Sequence, residues 1–154
     1  MNLNAEYINP FLEAASIVFK SILNVDLRRG KLVIKKNPAP TMEIAMIIGI
    51  VGGIKGEIVY SMDFNMVKKI SSVLLPGLSD EQIKAEYKDI IGEIANMITG
   101  NAMNLFASTD KLIDITPPTV IENNSIPYTY LEQTTLGMLL YSPMGQLELN
   151  IALS

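Results

Sequence analysis

Cysteine, histidine and tryptophan are all absent from this chain of 154 residues. Without cysteine there are no disulfides, thiol nucleophiles or thiolate metal sites. Without histidine the commonest general base and the commonest metal ligand are missing too. Any catalysis must therefore rest on carboxylates, amides or the chemistry of a partner. Positive charge is also short, with 12 Lys and Arg against 16 Asp and Glu and a net charge of −4. That balance disfavours nucleic acid, whose phosphates need clustered cations. No apolar run approaches the ~18 residues of a membrane span, and Met1 to Glu6 lack the charged and apolar regions of a signal peptide. A soluble, cytoplasmic protein is expected. Hydrophobic residues at 49 % and charged residues at 18 % exclude disorder. The length suits one domain, 1–154, with a substantial core.

The local pattern alternates helices and strands. Residues 8–23 read as a helix with Pro10 in its first turn, where a missing N–H costs nothing. A short strand, 31–36, precedes Pro38-Ala-Pro40. Segments 42–51 and 56–62, separated by Gly52-Gly53-Ile-Lys-Gly56, read as a β-hairpin. A second helix, 64–75, ends at Pro76-Gly77. Ser79 and Gln82 have the capping-box spacing and open a long helix to about 107. Strands are expected at 113–122, 126–132, 134–142 and 145–153, the last two joined as a hairpin through Ser142-Pro-Met-Gly145. Helix, strand and hairpin thus occur twice, and Lys55-Gly56-Glu-Ile-Val-Tyr-Ser matches Met144-Gly145-Gln-Leu-Glu-Leu-Asn in character. A duplicated half-domain predicts an α+β fold, a mixed β-sheet with long helices packed on one face.

The long helix carries the most informative feature, Asp89-Ile-Ile-Gly-Glu93-Ile-Ala-Asn96-Met-Ile-Thr-Gly100-Asn-Ala102. Taking Asp89 as zero, Glu93 falls near ~40°, Asn96 near ~340° and Gly100 near ~20° on the helical wheel. Ile91, Ile94, Ile98 and Leu105 lie between ~140° and ~200°, on the opposite side. Two acids, an amide and a glycine therefore line one outward face, with no Lys or Arg to neutralise it. Such a stripe is most often a solvated surface. Its other reading is insertion into another molecule's pocket.

The run Asp-x-x-x-Glu-x-x-Asn-x-x-x-Gly-Asn-Ala resembles the signature helix of the CheX branch of the CheC/CheX/FliY family of bacterial chemotaxis phosphatases. Asn9-Pro10-Phe11-Leu12-Glu13, Pro117-Pro118-Thr119-Val120 and Pro143-Met144-Gly145-x-Leu147-x-Leu149 extend the similarity over nearly the whole chain. The family's duplicated CheC/CheX-like sandwich agrees with the repeat read above. The resemblance implies a phosphatase acting on the phospho-aspartate of a CheY-like response regulator. It makes Glu93 and Asn96 the catalytic pair, Asn96 positioning the attacking water and Glu93 meeting the regulator's lysine. Asp89 and Gly100 are the partner-binding candidates. No cofactor or metal is expected in this chain; the divalent metal, Mg, belongs to the partner. In the first helix Glu13 and Ser16 occupy the equivalent spacing, and Ser16 replaces the amide, so one site is expected, as in the CheX branch.

Two other classes remain open on the residues alone: a non-catalytic binding module for a response regulator or flagellar-switch component, and a small-ligand sensor using a cleft between sheet and helices. The nine Met residues include Met42, Met46, Met97 and Met138 in apolar segments, where core filling is expected. Arg28-Arg29 and Lys35-Lys36 read as solvated pairs, and Asn101 and Asn104 as structural. Pro127-Tyr128-Thr-Tyr130 reads as an edge strand; strand edges invite pairing, and family members dimerise through continuous sheets, so a homodimer is expected.

Overall fold

A computed structural model describes residues 7–106, 113–122, 129–130 and 132–153. Helix α1, Asn9–Val18, begins with Pro10 in its first turn and runs on as a π-helical turn over Phe19–Leu23. Asn24 stops it in the left-handed region, φ 53°, with its N–H on the Lys20 carbonyl. Strand β1, Arg28–Lys35, follows, then the hairpin of β2, Ile44–Gly52, and β3, Gly56–Met62. Helix α2 spans Phe64–Leu74 and α3 spans Asp80–Phe106. Strands β4, Ile113–Ile115, and β5, Thr119–Glu122, precede the hairpin of β6, Thr135–Ser142, and β7, Gly145–Leu153.

The seven strands form one sheet in the order β1-β6-β7-β3-β2-β4, with β5 also on β2. Each half contributes a helix, a first strand and a hairpin, and each hairpin is flanked by the other half's first strand. The two hairpins meet where β3 pairs β7. That order is symmetric about its centre, as a duplicated half-domain requires. The third strand of each half opens on a glycine of positive φ, Gly56 at 155° and Gly145 at 137°, a backbone that side-chain-bearing residues rarely adopt. Among the described residues, helix α2 has no counterpart in the second half.

One expectation is corrected: the sheet is not mixed, since every pairing among the described strands is antiparallel. Parallel neighbours need a crossover connection between them, and here each half's first strand crosses to the far hairpin instead of lying beside its own. The expected strand 113–122 is broken at Thr116-Pro117-Pro118, since proline has no N–H for the ladder. Thr116 bridges the break, its N–H bonding the Gly49 carbonyl at 2.9 Å and its Oγ1 accepting from the Gly49 N–H at 2.8 Å. Of the expected strand 126–132, residues 129, 130 and 132 are not in a strand and the rest lie outside the described residues.

Helices α1 and α3 pack against each other and cover one face of the sheet. The core between them and the sheet includes Ile48, Ile58, Tyr60, Met62, Leu149 and Ile151, all fully buried. Met46 and Met138 fill this core, Met97 packs on its edge and Met42 is half-buried. Segment 36–43 crosses the opposite face from β1 to β2. Glu148 holds it, accepting from the Thr41 N–H at 2.8 Å, the Thr41 hydroxyl at 2.7 Å and the Ser61 hydroxyl at 2.8 Å. Lys35 is not a free surface cation: its Nζ donates to the Ala39 carbonyl at 2.8 Å and stands 4.0 Å from Glu148. Arg28 lies over the Tyr141 ring, 5.9 Å from its centroid.

Candidate active site

Helix α3 starts where the sequence places it. The Gln82 N–H donates to Ser79 Oγ at 3.2 Å, and the Ser79 N–H donates to Gln82 Oε1 at 2.8 Å, a reciprocal capping box. Asp80 and Glu81 in the first turn complement the helix dipole. Ile91, Ile94, Ala95, Ile98 and Ala102 are at most 2 % exposed and seat the helix on the sheet. Leu105 departs from the expected buried stripe at 40 % exposure.

Asp89 and Glu93 are exposed, and Asn96 and Gly100 are half-buried, so the structure brings all four expected residues onto one outward face. Among the described residues, the side chains of Asp89, Glu93 and Asn96 have no hydrogen-bond or ion-pair partner. The neighbouring amide of Asn101 behaves differently: it donates to the Met97 carbonyl at 2.8 Å, a local structural bond. A Cβ placed on Gly100 meets nothing within 4 Å. Internal packing therefore gives no reason for a glycine that costs ~1 kcal/mol against alanine in a helix interior. On α1, Glu13 is exposed and Ser16 half-buried, at the equivalent face.

Three contacts that the sequence pattern did not reveal fix the helix beneath this face. Gly92, beside Glu93, lies against the second half's first strand: a Cβ there would stand 3.3 Å from Val120 Cγ2 and 3.5 Å from Pro118 Cγ. Pro118 and Val120 thus act as a buttress, which explains two residues noticed only through the family resemblance. Tyr87, an α3 residue, donates its hydroxyl to Glu122 Oε1 at 3.1 Å and takes the Phe64 ring edge-on at 5.5 Å. Burial, then the hydrogen bond and charge of Glu122, push the Tyr87 phenol up to about 12. The third contact is a buried bond between Tyr60 Oη and Thr99 Oγ1, 2.8 Å long.

The site is an outward helix face, with a carboxylate and a carboxamide one turn apart. The described residues contain no cluster of three or more potential metal ligands and no helix long and apolar enough to cross a membrane. A groove of about 640 Å³, lined by Lys31, Val33, Tyr141 and Asn150 among others, lies on the opposite face of the sheet and includes none of the four stripe residues. The space between helices and sheet is filled by the apolar core.

Known proteins share this fold. The curated CheY-P phosphatase CheX of Thermotoga maritima is 25 % identical over 143 residues, covering 93 % of this chain and 89 % of that protein. A CheC-like superfamily protein from Shewanella sp. PV-4 superposes with a TM-score of 0.84 at 28 % identity, covering 99 % of both chains. The CheX chain in a CheX-CheY-BeF3-Mg+2 complex from Borrelia burgdorferi superposes with a TM-score of 0.80 at 28 % identity, covering 97 % of this chain and 99 % of that one. The family model "Chemotaxis phosphatase CheX" matches residues 44–140, more than half of the sequence, including all of α2 and α3. The chain belongs to the CheX family.

Proposed function

We propose that this protein accelerates hydrolysis of the phospho-aspartate of a CheY-like response regulator, in the cytoplasm, by inserting the Glu93–Asn96 face of α3 into the regulator's phosphorylation site. The observation that carries the reading is the pair itself. An exposed carboxylate and a half-buried carboxamide stand without side-chain partners among the described residues, with open space over Gly100. The relatives support it through their substrate and partner: one is named a CheY-P phosphatase and another was solved with CheY.

An acyl phosphate is already activated, so its hydrolysis needs a water held in line more than it needs a strong base. The Asn96 carbonyl oxygen accepts from that water, and the amide brings no charge to repel the phosphoryl group. Glu93 pairs with the regulator's lysine in a charge-assisted contact that fixes the register of Asn96. Asp89 adds a docking contact one turn away. Gly100 lets the partner approach the helix backbone. In this proposal the divalent metal is the regulator's.

Homodimerisation through a sheet edge belongs to the same proposal. The β1 edge carries Arg28, Arg29 and Lys31, which a two-fold pairing would bring together unfavourably. The short β4–β5 edge, with its Thr119, Val120 and Ile121, is the better candidate.

The test is the decay of radiolabelled phospho-regulator with and without the protein, with an EDTA arm. The proposal expects a shortened phosphoryl lifetime that EDTA restores to the unassisted value. A regulator that binds the protein yet decays at its unassisted rate would make it a binding module instead.

A further inference from the structure

Among the described residues, one hydroxyl pair sits in the otherwise apolar sheet–helix interface beneath Asn96. Tyr60, fully buried on β3 between β2 and β7, places its Oη 2.8 Å from Thr99 Oγ1, itself fully buried. Thr99 Oγ1 also reaches the Ala95 carbonyl at 2.8 Å. A threonine hydroxyl has one proton. Donated to Ala95, it leaves Thr99 Oγ1 to accept, so the Tyr60 hydroxyl donates to it. Burial raises the Tyr60 phenol pKa, which keeps it a neutral donor.

We propose that the Tyr60–Thr99–Ala95 chain is a positioning device that sets the rotation of α3 about its axis, and with it the reach of Asn96. The Thr99–Ala95 bond closes the helical turn that contains Asn96. Tyr60 ties this turn to a central strand, held by neighbours on both sides. The surrounding contacts, with Ile58, Met62, Ile94 and Ile98, are non-directional. Apolar packing of this kind, with methionine in it, tolerates small slips and rotations. A hydrogen bond is directional and does not. Side-chain tips lie ~6 Å from a helix axis, so a 10° rotation displaces Asn96 by ~1 Å. Misplacement of that size can cost ~100-fold in rate.

The inference rests on the phosphatase reading, and its test separates the two. Phosphoryl decay at saturating protein and regulator affinity are measured for wild type, Tyr60→Phe, Thr99→Val and Thr99→Ser, each checked for folding by its melting curve. Tyr60→Phe and Thr99→Val are expected to slow assisted decay ~10-fold or more with affinity within about twofold of wild type, following the steep geometry of the step. Their double mutant is expected to be no slower than the worse single one. Thr99→Ser keeps the hydroxyl and is expected to keep the rate. Folded Tyr60→Phe with the wild-type rate at saturation would reduce the pair to a structural bond and overturn the inference. If wild type itself leaves the decay unchanged, the phosphatase reading fails. The positional claim is then decided by the Asn96 side-chain amide resonances: a shift in Tyr60→Phe that Thr99→Ser does not show supports it, and identical spectra overturn it.

Discussion

At the scale of the residue, Gly100 and Glu93 make the most specific demands. Gly100 sits inside a 27-residue helix with free space where its Cβ would be. Gly100→Ala should therefore stabilise the fold by up to ~1 kcal/mol, a rise of ~2–4 °C in Tm for a chain of this size. The same methyl occupies the surface where the partner is expected to pass, so affinity for the regulator should fall. Melting and titration of the one variant read both effects, and a stabilised variant that binds like wild type would end the close-approach role. Glu93→Ala should weaken binding as well as turnover, through loss of its contact to the regulator's lysine. Combined with substitution of that lysine, the losses should be clearly non-additive; strict additivity would mean the two groups never meet.

At the scale of the element, α3 is a lever seated by four devices: the capping box, the Pro118–Val120 buttress at Gly92, the Tyr87–Glu122 bond and the Tyr60–Thr99 bond. The cap acts on stability alone, because it lies more than four turns from Asn96. Ser79→Ala should cost ~1 kcal/mol, read by denaturant titration, while turnover per folded molecule stays at the wild-type value. The capping box and the wheel were legible in the sequence because they are local: Ser79 and Gln82 need only their spacing, and Ile91, Ile94 and Ile98 need only the helical period. The buttress and the hydroxyl pair were not, because Gly92 meets Pro118 and Tyr60 meets Thr99 through the tertiary fold. Local reading also failed where a pattern continued past the element that produced it. The strand expected over 113–122 runs through two prolines that interrupt the ladder, and Leu105 keeps the helical period yet is 40 % exposed. Lys35 looked solvated until segment 36–43 crossed back over the sheet to meet it.

At the scale of the whole molecule, a duplicated architecture has kept its symmetry in the sheet and lost it on the helices. Both hairpins retain their opening glycines and their central pairing. The helix faces diverge, with Glu93 and Asn96 on one and Glu13 and Ser16 on the other. The same packing makes a pH signature. Tyr87 is held protonated to about 12 against the usual 10, and burial raises Tyr60 in the same direction. A folded-state pKa above the unfolded value gives stability that is present below pH 10 and lost as pH rises toward the folded pKa. Phenolate absorbance should therefore show tyrosines resistant to ionisation near pH 11 in the folded protein that ionise on unfolding; full ionisation before unfolding would contradict the packing at both sites.

The central claim is that one helix face does the chemistry, and the phosphoryl half-life of a CheY-like regulator tests it most directly. It is measured with saturating wild type, Asn96→Ala and Glu13→Ala, each shown to be folded and to bind. A serine hydroxyl at Ser16 is shorter than a carboxamide and cannot hold a water at the same reach, so its face should be silent. The expected result is a short half-life with wild type and Glu13→Ala, and the unassisted half-life with Asn96→Ala despite binding. A half-life as short with Asn96→Ala as with wild type would contradict the account.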